Sequence, residues 1–169
     1  LNLLKSLLFS LRIGIKLIFS ARDTDLVFLT TAPPFMLAVG YLTSLITKTP
    51  YIVILFDLFP EILIDLKFLK EKNPIFKLSL FIRNLAIKKS KYTIVLSSNM
   101  YARVKKQLPS ISNKLRIIST WEDTNKLYKI KKEKNKYIKD FNLQDKFVVL
   151  YSGNQGRGHD MMTILKSAK

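Results

Sequence analysis

The chain has no cysteine, a single histidine, one tryptophan and, among 169 residues, five glycines and twelve acidic side chains. Without thiols there are no disulfide scaffolds, cysteine nucleophiles or zinc fingers. With His159 standing alone, a metal centre has only scattered carboxylates to draw on, and no nucleophile elbow offers a serine for a Ser-His-Asp triad. A reduced, intracellular globular protein with no metal and no cofactor is expected. Long uncharged runs are missing as well. The apolar opening stretch, Leu1 to Ser20, is interrupted by Lys5, Arg12 and Lys16, whereas a membrane-spanning helix needs about 20 nearly uncharged residues. No small-residue cleavage site follows it, which argues against a signal peptide.

What the chain has in excess is lysine. Lys and Arg total 29, giving a net charge of +17, and 23 of them are Lys against 6 Arg. Nucleic-acid readers rely on the arginine fork for bidentate contacts, and the aromatic residues here sit within apolar runs. Nucleic acid is therefore the weakest partner class, and an anionic surface suits the charge better, part of which simple coding bias explains. The hydrophobic share of 48% is enough to bury a sizeable core. In the opening stretch the three cations fall on one helical stripe. An amphipathic helix follows from that spacing, either lying in a membrane interface or packed on the fold with its basic edge in water.

Five short runs read as buried strands: Leu26 to Thr30, Tyr51 to Leu55, Tyr92 to Leu96, Leu115 to Ile118 and Phe147 to Tyr151. They are β-branched, aromatic and almost free of charge, as strands covered on both faces should be. Helical patterns lie between them at 35–46, 60–70, 75–89 and 99–108. This alternation predicts an α/β fold with a parallel, doubly wound, Rossmann-like sheet, whose ligands gather beyond the carboxyl ends of the strands. The stretch from Thr124 to Lys146 has eight Lys and few residues fit for a core. The expected organisation is one domain over 1–119, a basic linker over 120–146 and the start of a second domain over 147–169. The ends look cut, so the chain reads as a fragment.

Three strand-end loops can carry chemistry. Thr30-Thr31-Ala32-Pro33-Pro34-Phe35 is stiffened by two prolines, and its hydroxyls can cap a helix or touch a ligand. In Phe56-Asp57-Leu58-Phe59-Pro60-Glu61, a helix start accounts for Pro60 and Glu61. It accounts less well for Asp57, a carboxylate at the tip of a central strand that can act as a base or orient a hydroxyl. Ser152 to Asp160 holds three of the five glycines, and consecutive N–H groups of such a loop can cradle a phosphate. It matches neither the dinucleotide fingerprint nor a Walker A loop, and a tight turn with Asp160 as helix cap is the plain structural alternative.

Taken in order, TTAPPF, YIVILFDLFPE, YTIVLSSNM, LRIISTWED and FVVLYSGNQGRGHD resemble the group 4 family of GT-B glycosyltransferases. The likeness is closest to the branch that builds bacterial surface polysaccharides, with stretches of the form TSPP, QDLYPE, VLSEGM, NWxD and YSGNxGxxHD. Two positions depart from the pattern: Phe56 stands where Gln or His is usual, and Thr120 replaces the linker's Asn.

The resemblance implies two Rossmann-like domains facing a cleft, of which this chain carries the later part of the first and the opening βα unit of the second. The family's glycine-rich acceptor loop would precede Leu1, and its E-x7-E motif would follow Lys169. It further implies transfer of a sugar from a nucleotide-diphosphate donor to a lipid-linked or saccharide acceptor, with retention of anomeric configuration. Asp57 is the catalytic candidate, Thr31, Pro33, Pro34 and Glu61 lie on the acceptor side, and Gly153, Asn154, Gly156 and Arg157 meet the donor diphosphate. Polysaccharide-building members act on lipid-linked acceptors, which implies a cytoplasmic enzyme held peripherally at the inner face of the plasma membrane. The stretch from Leu66 to Lys91, with eight Lys/Arg and one Glu among Leu, Ile and Phe, is the expected side toward anionic lipid. The competing expectation is a truncated, inactive relative that serves as a partner- or membrane-binding module.

Overall fold

The computed structural model describes residues 3–20, 23–33, 35–154 and 160–167. The chain divides into two compact units, Leu1–Thr120 and Trp121–Lys169. The first contains α1 (Leu3–Ser20), β1 (Val27–Thr30), α2 (Met36–Thr47), β2 (Tyr51–Leu55), α3 (Ile62–Asp65), α4 (Pro74–Lys89), β3 (Tyr92–Val95), α5 (Ser98–Gln107) and β4 (Leu115–Ile117). Its four strands form one all-parallel sheet in the order β1-β2-β3-β4. The described strands thus step in a single direction, without the reversal that defines a doubly wound sheet. Hydrophobic patterning specifies a parallel crossover but not the side on which the next strand is laid down.

Alternation along each strand sorts the side chains into two faces. Leu29, Val53, Thr93 and Leu115 stand in register across the four strands and are sealed from water. They join Leu37 of α2, Ala86 and Ile87 of α4, Val104 of α5 and Ile111 in one core. Close approach of α2 to the sheet requires glycine: a Cβ at Gly40 would fall 2.0 Å from Leu29 Cδ1. The Tyr51 hydroxyl donates to Ala86 O at 2.6 Å, fixing β2 to α4, and burial pushes that phenol's pKa up. On the opposite face Ile52, Ile54 and Ile94 are half-buried, Phe28 and Tyr92 are exposed, and the Arg116 guanidinium lies 5.3 Å from the Tyr92 ring centre.

Local chemistry explains the helix ends. Asn73 caps α4 by accepting from Ile75 N at 2.8 Å, Pro74 occupies its first turn, and Lys88 and Lys89 complement the dipole at its last. Ser97 caps α5 in the same manner, accepting from Met100 N. The helix expected over 60–70 is cut to α3. Lys67 adopts φ 59°, its N–H bonds Ile64 O, and Phe68 N bonds Leu63 O. That is a Schellman stop, made here without glycine.

The second unit holds a short 3-10 turn at Lys132–Lys134, α6 (Lys136–Asp140) and α7 (Met161–Ser167). The strand expected at Phe147 to Tyr151 is absent among the described residues, and Phe147 is 96% exposed. A strand is completed by a ladder of hydrogen bonds to a neighbouring strand, and among the described residues no strand pairs with this run. Among the described residues no helix is long and apolar enough to cross a membrane.

Candidate functional site

Because the four strands are parallel, their carboxyl ends share one edge of the sheet, and the loops that follow them emerge there. Thr31, just beyond β1, is buried. Its Oγ1 accepts from the backbone N–H of Phe56 at 3.2 Å and of Asp57 at 3.3 Å. One hydroxyl therefore ties the first two candidate loops together and fixes the backbone from which the Asp57 side chain rises into solvent. Thr30 Oγ1 donates to Ala32 O at 2.8 Å, which tightens the same turn. Pro33 follows a cis peptide bond, is half-buried, and accepts from Met36 N at 3.3 Å, while Phe35 adopts φ 80°. Pro34 lies outside the described residues. On the other side of β2, the loop after β3 presents Ser97, Ser98 and Asn99 to solvent at the start of α5.

Glu61 points elsewhere. Its two carboxylate oxygens both accept from Arg83 Nη1, at 2.7 and 2.8 Å, and both residues are buried. Arg83 Nη2 donates to Gln107 Oε1 at 2.8 Å and to Asn84 Oδ1 at 2.9 Å, and Nε donates to Asn84 Oδ1 at 3.2 Å. Every side of the guanidinium is engaged. Arg83 belongs to α4 and Gln107 ends α5, so this network anchors the Asp57 loop from beneath to both helices. Glu61 faces that network rather than a ligand. Neither Arg83 nor Gln107 stands out in the sequence. The available signal is that Arg83 is an arginine in a chain that otherwise chooses lysine, at a position where one cation serves a buried carboxylate and two amide oxygens at once, which the several donors of a guanidinium allow.

In the second unit Gly153 and Asn154 are exposed, and the Tyr151 hydroxyl donates to Asn154 O at 2.9 Å. Gly156 and Arg157 lie outside the described residues. Asp160 caps α7: its carboxylate accepts from the Thr163 hydroxyl at 2.6 Å and from Thr163 N at 3.2 Å. Hydrogen bonds to the charged form, that of the Thr163 hydroxyl foremost, hold its pKa below the usual aspartate value.

Of the expected site residues, the structure joins Thr31 to the Asp57 loop, sets Pro33 in the adjoining turn and turns Glu61 inward. No protein-family model matches this chain, and no curated protein matches it either. The functional reading therefore rests on the loops and their chemistry.

Proposed function

We propose that this chain is the acceptor-side portion and following segment of a GT-B glycosyltransferase of group 4. In this reading it serves bacterial polysaccharide assembly at the cytoplasmic face of the membrane and transfers a sugar from a nucleotide-diphosphate donor to a lipid-linked or saccharide acceptor. The observation that carries the reading is the bridge from Thr31 Oγ1 to the amides of Phe56 and Asp57. It links two of the five motifs through a side chain and leaves a carboxylate exposed at the carboxyl end of a central parallel strand, where α/β sheets bind their ligands.

The chemistry follows from charge. A bond forms between an acceptor hydroxyl oxygen and the anomeric carbon as the bond from that carbon to the diphosphate breaks. The hydroxyl proton leaves toward the Asp57 carboxylate, and negative charge gathers on the departing diphosphate. The family resemblance assigns Gly153, Asn154, Gly156 and Arg157 to the donor diphosphate, a charge that N–H and guanidinium donors suit. Thr31 is a positioning residue, since it acts through the Asp57 backbone.

The test is transfer of labelled sugar to lipid by the product of the whole reading frame that encodes these residues. Incorporation into lipid is expected, and Asp57→Asn lowers kcat by about a hundredfold or more. Folded enzyme that transfers no sugar from any nucleotide donor, or an Asp57→Asn variant with full kcat, refutes the assignment.

A further inference from the structure

The carboxyl edge of the first unit's sheet is where this basic chain withholds its cations. The stretches 31–36, 56–66, 96–102 and 118–120, which follow β1, β2, β3 and β4, contain no Lys or Arg, although the chain carries 29. Their charges are Asp57, Glu61 and Asp65, and Glu61 is already matched by Arg83. The segments leading into β2, β3 and β4 hold Lys48, Lys88, Lys89, Lys91 and Lys114 instead. A ligand at the carboxyl edge therefore meets the Asp57 carboxylate with no cation supplied by these loops, and an anion is repelled there. Four N–H donors that a phosphate could use are engaged as well. Phe56 N and Asp57 N donate to Thr31 Oγ1, Met36 N to Pro33 O and Met100 N to Ser97 Oγ.

What the edge does present is aromatic and able to take hydroxyls. Phe56 and Asp57, adjacent in the chain, are both exposed on backbone that Thr31 holds. Phe35, in the loop that Thr31 begins, is exposed too, and the local structure gives it no reason to be there. It occupies the N-cap of α2 with φ 80° and makes no side-chain cap bond. That position suits Ser, Thr, Asp, Asn or Gly, and a bulky residue at positive φ is an outlier. On the β3 side of Asp57, Ser98 and Asn99 offer a hydroxyl and an amide to solvent. Apolar ring faces beside one carboxylate and neutral hydrogen-bonding groups suit a pyranose, whose C–H face packs on an aromatic ring while its hydroxyls donate to the carboxylate.

We propose that this edge binds an uncharged pyranose, with the Phe56 ring as its stacking platform, Asp57 accepting from its hydroxyls and Phe35 as a second apolar wall. Phe56 is then a specificity-determining residue. Together with the unpaired Asp57 charge, it selects a neutral sugar terminus over a uronate and over a bare lipid phosphate. The resembled family has Gln or His where Phe56 stands, so the platform belongs to this chain rather than to the pattern. That the pyranose is the acceptor rests on the transferase reading, whereas its binding is measured separately.

Amide chemical shifts of the 169-residue chain test it during addition of methyl glucoside, methyl galactoside, methyl mannoside or methyl N-acetylglucosaminide. Methyl glucuronide and isopentenyl phosphate serve as the charged probes. At least one neutral glycoside is expected to move the amides of Phe35, Phe56, Asp57 and Asn99, and the charged probes to bind at least about fivefold more weakly. Phe56→Leu, which keeps an apolar side chain without the ring, raises Kd about five- to tenfold, and Phe56→Tyr retains binding. Tyr92→Ala, at the amino end of β3, leaves it unchanged. Circular dichroism equal to that of the parent confirms that each variant is folded. No shift with any neutral glycoside, charged probes that bind as tightly as the neutral ones, or full binding by Phe56→Leu overturns the proposal. Phe56-dependent binding of a neutral glycoside, with no sugar transfer by the product of the whole reading frame, upholds the site and removes the transferase reading. Sugar transfer whose acceptor KM is indifferent to Phe56→Leu does the reverse.

Discussion

Tyr51–Leu55 and Phe147–Tyr151 are five-residue runs of nearly the same character, YIVIL and FVVLY, each followed by a loop with a chemical candidate. In the first run Tyr51, Val53 and Leu55 are sealed from water, with β1 on one side, β3 on the other and helices above. In the second, Val149 is 78% and Leu150 68% exposed, and no ladder forms among the described residues. A run of β-branched and aromatic residues is a capacity to form a strand, and neighbours on both edges convert that capacity into structure. The contrast carries over to the loops. Asp57 has its backbone amide held by Thr31 and its loop anchored by the Glu61–Arg83 pair, whereas Gly153 and Asn154 follow a run that joins no sheet among the described residues.

The contrast breaks most severely at the ion pair. Glu61→Ala strands a buried guanidinium and is expected to destabilise the first unit by about 3 to 5 kcal/mol, measured by urea unfolding, while the double variant Glu61→Ala/Arg83→Met recovers much of that loss. Truncations in the two runs sharpen the comparison. Leu55→Ala is expected to cost about 2 to 5 kcal/mol by leaving a cavity in a packed core. Leu150→Ala, at an exposed position, is expected to change stability by less than about 0.5 kcal/mol on the same measurement. Equal effects at the two positions would remove the distinction.

The smallest effect belongs to the Asp160 carboxylate of the second unit. The pKa of Asp160 is depressed in the folded chain, so its cap supports α7 above the ordinary aspartate pKa and loses that support as pH falls through the lowered value. Amide chemical shifts of Met161–Ser167 should report this loss on acidification. Asp160→Ala should remove the pH dependence altogether, and an unchanged titration in that variant would exclude the cap as its source.

How far the sequence speaks can be judged at particular residues. Four of the five expected strands form nearly where alternation and β-branching put them, because each run is flanked in space by another of its kind. Phe147 to Tyr151 forms no strand, because no strand lies beside it among the described residues, a property no local window contains. The helix starts at Asn73 and Ser97 are short-range chemistry and were legible; the stop at Lys67 was not, since left-handed backbone at a lysine gives no glycine signal. At the site, a strand-end position marks Asp57, but the bond from Thr31 to its amide joins residues 26 apart in the chain. Glu61 reads as an ordinary first-turn acid until Arg83, 22 residues on, is seen to claim both its oxygens. The basic stripe of α1 is visible as a spacing, yet which side of that helix meets the protein depends on Val39 leaving room only for Gly14.

Native-state amide hydrogen exchange tests the central claim most directly, because it reads whether each run is held in a ladder. The amides of Tyr51–Leu55, together with those of Phe56 and Asp57 bonded to Thr31, are expected to exchange slowly, with protection in β2 close to that of global unfolding. Those of Phe147–Tyr151 are expected to exchange near the unstructured rate. Protection over Phe147–Tyr151 equal to that over Tyr51–Leu55 would contradict the account, and would mean that the second unit builds a sheet of its own beneath the glycine loop.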